Sequence, residues 1–227
     1  MDTSRDYRVL LAEKAVEKYA LIVKTSSMPY LIKREELLSY AREAHSLVMT
    51  LKYSFLPLEQ IVDSELLIKL SALAERMTSF VKDKPLRPLS ERDRLNVAYV
   101  RWVGRILCGL SDRFRLGEEN LPEYAVDIIG VRVESVSRLR GSRGLWVANV
   151  MAGSEVFTVV TNLGDVKAGQ VRAVAVLPPR MFLDVVSEAM FCSGVLEEEY
   201  VGRRPEESVL ELKDVRLAVE EAVSKGL

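Results

Sequence analysis

The sequence predicts an α+β chain of two domains, an antiparallel helical bundle and then a small five-stranded β-barrel that is followed by a C-terminal helix. Apolar residues recur every three to four positions up to about residue 114, which is typical of amphipathic helices. The apolar period then drops to two and β-branched residues dominate until about residue 193. The predicted boundaries are 1–118 for the bundle, 119–204 for the barrel and 205–227 for the C-terminal helix.

Four helices are predicted in the N-terminal part, over residues 10–22, 32–55, 61–77 and 90–114. Prolines separate them, because proline cannot continue a helix; they are Pro29, Pro57, Pro85 and Pro88. A serine stands three positions before an acidic residue at the start of the fourth helix, which is typical of a capping box; the pair is Ser90 and Asp93. Short connections between consecutive helices favour an antiparallel bundle.

Five short strands are predicted next, over residues 126–136, 145–151, 156–161, 171–177 and 189–193. Gly130 lies inside the first strand, where an isolated glycine is typical of a bulge or a bend. No connection is long enough for a crossover helix, so the pattern favours a closed barrel over an α/β sheet. After Pro205 the helical period returns, with Val209 the first residue of the apolar face.

Composition limits the environment of the chain but not its ligand. No apolar run approaches the ~20 residues that span a bilayer, and the first residues are too polar for a signal peptide. Cys108 and Cys192 are far apart and form no metal-type pair, which indicates a reducing compartment. We therefore expect a cytoplasmic protein with no membrane contact. The net charge of −1 leaves nucleic-acid binding open.

Residues 125–193 carry four segments that resemble one known family. The opening strand spans 126–136, the third strand ends in Val160-Thr161-Asn162, and the loop 166–170 leads into a hydrophobic strand. The most specific segment is Leu177-Pro178-Pro179-Arg180, followed by Ser187-Glu188-Ala189-Met190. Together they resemble the tRNA-binding OB-fold domain that is appended to some methionyl- and tyrosyl-tRNA synthetases and also occurs as free-standing tRNA-binding proteins. Ala189 stands where that family usually has glycine, so this turn needs either a negative φ or some strain.

The resemblance implies a five-stranded OB-fold barrel that binds tRNA, or another structured RNA, as an auxiliary clamp in translation. An aminoacyl-tRNA synthetase is the implied protein partner, and free-standing relatives often form homodimers through the barrel and its flanks. Some export chaperones use the same barrel as a dimer. A protein-interaction or chaperone-like module, with the barrel and the bundle as dimer or partner surfaces, therefore stays open as the alternative. The apolar run 181–183 is what supports that alternative.

Three arginines in the loop between the first two strands are the first candidate RNA contacts: Arg138, Arg140 and Arg143. In OB-folds this loop often contacts oligonucleotides. The planar guanidinium group binds phosphate through two donors and stacks on bases. The cluster contains two glycines and no acidic residue, which favours binding over a solvated turn. Trp146, beside the loop, either stacks on a base or packs in the barrel, and packing is the commoner outcome.

The second candidate group follows from the segments that resemble the family, and its members are Asn162, Arg180, Ser187, Glu188 and Met190. If the barrel closes, Arg180 and the turn 187–190 meet at one rim, where a hydroxyl, a carboxylate and a thioether contact a splayed-out nucleotide. Asn162 and the preceding Thr161, at the end of the third strand, are a candidate base-reading pair. Alternatively, Ser187 and Asn162 are turn residues that contact no RNA, and Met190 is a core residue.

Catalysis is not expected. His45 is the only histidine, and it lies on an amphipathic helix beside Leu and Val. No His/Cys grouping has metal spacing, and no phosphate-binding loop or serine elbow is present in the sequence. The sequence therefore predicts a protein that is not an enzyme and that needs no metal or other cofactor.

Overall fold

The computed structural model describes residues 1–28, 31, 33–81 and 90–227. These residues form two compact units. The helical unit comprises Met1–Val126 with Val219–Leu227, and the β unit comprises Asp127–Ala218. The domain boundaries predicted after residues 118 and 204 stay predictions. The predicted breaks at Pro29, Pro85 and Pro88, and the predicted helix start at residue 32, lie outside the described residues.

The N-terminal region is helical, as predicted. Its described helices are α1 (Tyr7–Thr25), α2 (Arg34–Lys52), α3 (Leu58–Val62), α4 (Glu65–Thr78), α5 (Glu91–Cys108) and α6 (Leu110–Phe114). The third and fourth predicted helices are each split in two. Ser64 takes an extended conformation, and its hydroxyl caps α4 by accepting a hydrogen bond from the Leu67 amide. Gly109 leaves helical geometry between α5 and α6.

Ser90 is the N-cap of α5, as the predicted capping box requires, but the Asp93 carboxylate bonds to the Ser90 hydroxyl instead of the Ser90 amide. The Ser90 hydroxyl accepts a hydrogen bond from the Asp93 amide at 3.2 Å and also lies 2.7 Å from the Asp93 carboxylate. This arrangement satisfies an amide that the helix itself leaves without a partner.

Contacts between α1 and α2 show that the two helices run antiparallel: the start of α2 contacts the end of α1, and the end of α2 contacts the N-terminal half of α1. At the start of α2, the Arg34 guanidinium donates to the Val23 carbonyl at 2.6 Å. At its end, the Lys52 ammonium lies 2.6 Å from the Glu13 carboxylate. The core of the helical unit includes Tyr19, whose hydroxyl donates to the Met77 carbonyl at 2.7 Å and whose pKa is raised by burial.

A buried ion pair joins the start of α1 to the end of the helical region. The Arg8 guanidinium donates to both carboxylate oxygens of Asp6, at 2.9 and 2.7 Å, and both side chains are 1% exposed. It also donates to the Gly117 carbonyl at 2.8 Å and lies 4.5 Å from the ring centre of Phe114. Arg8 thus fixes the chain around residue 117 to α1.

Seven strands follow: β1 (Ile128–Arg138), β2 (Trp146–Ala152), β3 (Glu155–Thr161), β4 (Val171–Ala175), β5 (Arg180–Phe182), β6 (Val185–Ser187) and β7 (Met190–Phe191). Five of them form a curled antiparallel sheet in the order β3-β2-β1-β4-β7, which confirms the five strands predicted from the sequence. Strands β5 and β6 form a separate hairpin that the sequence did not predict. Its strands are only three residues long, too short to show alternation.

Of the bulge or bend predicted at Gly130, the bulge is wrong. The pairing with β2 shifts register between Val133 and Ser135 instead. At Gly130 the chain 200–203 approaches β1 closely: the Gly130 amide donates to the Arg203 carbonyl at 2.7 Å, and the Gly130 carbonyl accepts from the Gly202 amide at 2.8 Å. A Cβ at Gly130 would overlap the Tyr200 carbonyl. The glycine is therefore needed for close backbone approach.

Gly130→Ala is expected to lower the free energy of unfolding by about 2 kcal/mol, because the methyl group must displace backbone atoms. Urea unfolding followed by circular dichroism measures the change. Gly164→Ala is the control, since an added Cβ there meets nothing within 4 Å. Equal stability of Gly130→Ala and the wild-type chain would contradict this packing.

The C-terminal helix α7 (Lys213–Lys225) is present, as predicted, but it starts later than expected. Val209 lies in a short 3-10 turn (Glu207–Val209) and is 36% exposed. The apolar face of α7 is buried and consists of Val215, Val219 and Ala222. Among the described helices, none has the length and apolar character to span a bilayer.

The two cysteines differ in exposure, and this predicts their reactivity. Cys108 is exposed, whereas Cys192 is buried, and that burial raises the pKa of the Cys192 thiol to about 12. Because the thiolate is the reactive form, a disulfide reagent at mildly alkaline pH should titrate one thiol in the folded protein and two in denaturant. Cys108→Ser should remove the thiol that reacts in the folded protein. Two reactive thiols in the folded chain would contradict the burial of Cys192.

Candidate nucleic-acid interface

Three arginines are exposed where β1 turns into β2: Arg138 is the last residue of β1 rather than a loop residue as predicted, and Arg140 and Arg143 lie in the loop itself. We call residues 138–144 the arginine loop. Leu139 is 3% exposed and anchors the loop, and its amide donates to the Leu145 carbonyl at 3.0 Å. Gly141 and Gly144 adopt positive φ values of 79° and 89°, which glycine favours. With the backbone fixed in this way, the side chains of Arg138, Arg140 and Arg143 are all exposed.

These three arginines carry uncompensated charge. Within the described residues, none of them forms an ion pair. The Arg138 guanidinium lies 5.1 Å from the ring centre of the half-buried Trp146, its cross-strand partner. By contrast, Arg132 and Arg172 of the β unit pair with carboxylates: Arg132 with Glu198, and Arg172 with Asp165 at 2.6 Å, a hydrogen bond that lowers the pKa of the Asp165 carboxyl. The arginine loop is therefore a local positive surface on a chain of nearly zero net charge.

The β5–β6 hairpin reaches the arginine loop with its tip. Leu183 and Asp184 form the two-residue turn, and both are exposed. A Cβ built on Gly141 would lie 3.6 Å from Cδ1 of Leu183, so the tip packs beside the loop. Leu183 has a φ of 54°, a conformation that leucine seldom adopts. The segment between β4 and β7 and the loop between β1 and β2 thus meet at one end of the sheet.

Arg180 lies at the other end of the hairpin. It is exposed and pairs in register with Ser187. Two residues lie between it and Leu183, a separation of about 10 Å in an extended strand. The hairpin tip is the part of this segment for which the packing beside the arginine loop is defined.

Ser187 and Glu188 connect the hairpin to the sheet edge. The Ser187 hydroxyl is buried; it accepts from the Val160 amide at 2.9 Å and donates to the Ala189 carbonyl at 3.1 Å. The Glu188 amide donates to the Thr158 carbonyl at 2.9 Å, and its carboxylate accepts from the Thr158 amide at 3.3 Å. Both side chains thus bond to the edge of β3, and their predicted RNA contacts stay predictions. Ala189 builds its turn without a positive φ.

The two remaining predicted residues differ in exposure. Met190 is half-buried on β7, opposite Ala175. Asn162 directly follows β3 and is exposed, while the neighbouring Thr161 is buried and its hydroxyl accepts from the Leu163 amide at 3.1 Å. Of Thr161 and Asn162, only Asn162 has a side chain that a ligand can reach.

A row of polar side chains on the outer face of the sheet was not predicted from the sequence. The Asn149 side-chain amide donates to the Ser135 hydroxyl at 3.1 Å, and the Thr158 hydroxyl donates to the Asn149 side-chain oxygen at 3.3 Å. The row crosses β1, β2 and β3. Asn149 and Thr158 stand at alternate positions that the period of two could have identified, but Ser135 joins them only because of the bulge in β1.

A second missed group lies in the helical unit. Glu13 and Glu17 on α1 and His45 on α2 each place one potential ligand atom within 4.8 Å of the others. The i,i+4 spacing of the two glutamates is visible in the sequence. Their meeting with His45 depends on how α1 and α2 pack, and the sequence does not give that.

The structure thus defines a helical N-terminal region followed by a curled antiparallel sheet with a basic loop. The chain belongs to the family described as "Alpha helical domain", whose match covers residues 1–117. A solved structure described as "Crystal structure of MetRS related protein from Pyrococcus horikoshii" is 22% identical, covers 37% of this chain and 92% of that chain, and has a TM-score of 0.34. No curated protein matches the chain.

Proposed function

We propose that this protein is a non-catalytic RNA-binding protein of the cytoplasm that holds tRNA as an auxiliary clamp in translation, with an aminoacyl-tRNA synthetase as its protein partner. In this proposal the β unit is an OB-fold barrel, closed where residues 187–188 bond to β3. The observation that carries the proposal is the exposed arginine loop, whose three guanidinium groups form no ion pair within the described residues.

The position of the arginine loop supports the proposal. OB-folds bind oligonucleotides on the face of their second and third strands, between the loop that joins strands one and two and the loop that joins strands four and five. Here the arginine loop joins β1 and β2, and the hairpin stands between β4 and β7, the fourth and fifth strands of the sheet. The contact between Gly141 and Leu183 brings these two segments together.

The chemistry of the surface also suits RNA. Guanidinium groups bind phosphate oxygens, which supplies most of the affinity and fixes the register of the protein on its ligand. The exposed amides of Asn149 and Asn162 each offer a donor and an acceptor to an unpaired base. The resemblance of residues 125–193 to tRNA-binding domains selects tRNA among structured RNAs.

Electrophoretic titration with total tRNA tests the proposal, with duplex DNA of similar length as the control. The tRNA complex should be the tighter one, and its affinity should fall steeply between about 50 and 200 mM salt because bound counterions are released. Equal affinity for the two nucleic acids, or no retardation of either, would refute RNA recognition by this chain.

A protein-interaction role is the second candidate, and exposed apolar side chains on the β unit favour it. Leu183 is 57% exposed and Val156 is 59% exposed. Such side chains suit a contact with a second copy or another protein. Light scattering on the purified chain tests for a homodimer, and Leu183→Asp should dissociate it if the hairpin tip forms the contact. A monomer that binds tRNA would leave only the first proposal.

A further inference from the structure

We propose that Glu13, Glu17 and His45 form a zinc-binding site on the α1–α2 pair of the helical unit. This site is independent of the proposed RNA surface. Two carboxylates and an imidazole bring one potential ligand atom each within 4.8 Å of the others. Carboxylate oxygens and imidazole nitrogens are ligands that Zn²⁺ accepts, and three protein ligands with a water in the fourth position are a common zinc geometry.

The packing of the two helices brings these side chains together. Glu13 and Glu17 are four residues apart and so lie on one face of α1. Along the seam both helices bury small side chains, including Ala15 on α1 and Ala41 and Ala44 on α2, which are at most 2% exposed. Small residues let helix axes approach closely. The longer polar side chains that flank the seam can then meet across it.

The cluster needs only a small contraction to bind a metal. Tetrahedral zinc with bonds of 2.0–2.1 Å places neighbouring ligand atoms about 3.3 Å apart. Side-chain rotations supply the remaining movement, because Glu17 and His45 are only partly buried. Partial exposure also gives the ion a route in and leaves room for a bound water. All three side chains lie on helices, which are rigid elements of the kind that a defined site requires.

Two lysines compete with the metal for the carboxylates. The Lys52 ammonium lies 2.6 Å from Oε2 of Glu13, and the Lys14 ammonium lies 2.9 Å from Oε2 of Glu17. A carboxylate has two oxygens, so each glutamate can keep its lysine and still offer the other oxygen to zinc. The ammonium of Lys52 nevertheless repels a divalent cation. Lys52→Met, which keeps the apolar stem, should therefore strengthen zinc binding several-fold.

The imidazole determines which metal is preferred. Mg²⁺ and Ca²⁺ prefer sites made only of oxygen ligands, whereas a mixed nitrogen and oxygen set suits zinc. We expect one Zn²⁺ per chain, and we expect Zn²⁺ but not Mg²⁺ to raise the Tm, since an ion that binds only the folded state stabilises it.

Isothermal titration of ZnCl₂ into the full-length, tag-free chain tests the site. The titration uses Cys108→Ser, which removes the exposed thiol as a competing ligand. His45→Gln and Glu17→Gln should each weaken zinc binding more than about tenfold, since each removes one ligand. Glu43→Gln is the matched control, because it removes an exposed carboxylate of α2 that is outside the cluster.

Circular dichroism of each variant separates loss of the site from loss of the fold. All three positions are at least partly exposed, so the helical signal should stay unchanged. Loss of binding in His45→Gln and Glu17→Gln with binding kept in Glu43→Gln supports the site. No saturable zinc binding in the Cys108→Ser chain, from which the other variants are made, or equal binding in all variants, overturns it. If both ligand variants lose helical signal, zinc-dependent protection of the starting chain against thermal unfolding decides, and its absence overturns the proposal.

Discussion

Changing Arg138, Arg140 and Arg143 together to glutamate is expected to lower tRNA affinity about 100- to 1,000-fold at moderate salt. The slope of log affinity against log salt should flatten by about 3, because three phosphate contacts no longer release counterions. Electrophoretic titration at several salt concentrations measures both quantities.

The size of this effect follows from the location of the charge. The three side chains are exposed on one loop, and no carboxylate in the described part of the chain neutralises them. Glutamates at these positions would also repel phosphate, so the reversal removes attraction and adds repulsion. The anchoring residue Leu139 stays buried in the variant, and the fold should therefore be kept.

A matched reversal in the helical unit separates local contact from net charge. Lys24, Arg42 and Arg94 are exposed, and changing them to glutamate alters the net charge by the same amount. This control should keep most of the tRNA affinity. If both triple variants lose affinity equally, binding depends on overall charge and the arginine loop has no special role.

Arg8→Met is expected to lower the free energy of unfolding by about 3–5 kcal/mol, because it leaves the buried Asp6 carboxylate without its ionic partner. The substitution also removes the hydrogen bond to the Gly117 carbonyl and the guanidinium above the Phe114 ring. Methionine keeps most of the side-chain volume, so the loss reflects charge and hydrogen bonding rather than a cavity. Urea unfolding monitored by circular dichroism measures it.

Arg5→Met is the control for this change. Arg5 is exposed three residues before Arg8, and exposed charges contribute little to stability. Its unfolding curve should match that of the wild-type chain. A loss of less than about 1 kcal/mol in Arg8→Met would show that the Asp6–Arg8 pair contributes no more than a surface ion pair.

Periodicity predicted the kinds of elements correctly but not their local breaks. The helical period of residues 61–77 and 90–114 continues across Ser64 and Gly109, where α4 is capped and α5 ends. An amphipathic pattern does not reveal a break when both flanking helices bury the same face. Likewise, the exposed position of Ser135 follows from the bulge in β1, and the sequence had placed that irregularity at Gly130.

The residues of the candidate site were likewise predictable only in part. The arginine loop was predictable because its residues are consecutive and lie between two clear strands. The roles of Ser187 and Glu188 were not, because their bonds to Val160 and Thr158 depend on how a short hairpin meets β3. The group formed by Glu13, Glu17 and His45 also required the packing of two helices to be known.

Ultraviolet cross-linking of the tRNA complex, followed by mass spectrometry of the digested protein, tests whether the β unit contacts the RNA. We expect nucleotide adducts on peptides that contain residues 138–146 and 180–188, the arginine loop with Trp146 and the adjoining hairpin. Adducts confined to residues 1–118, or a complex whose β unit carries none, would contradict this expectation.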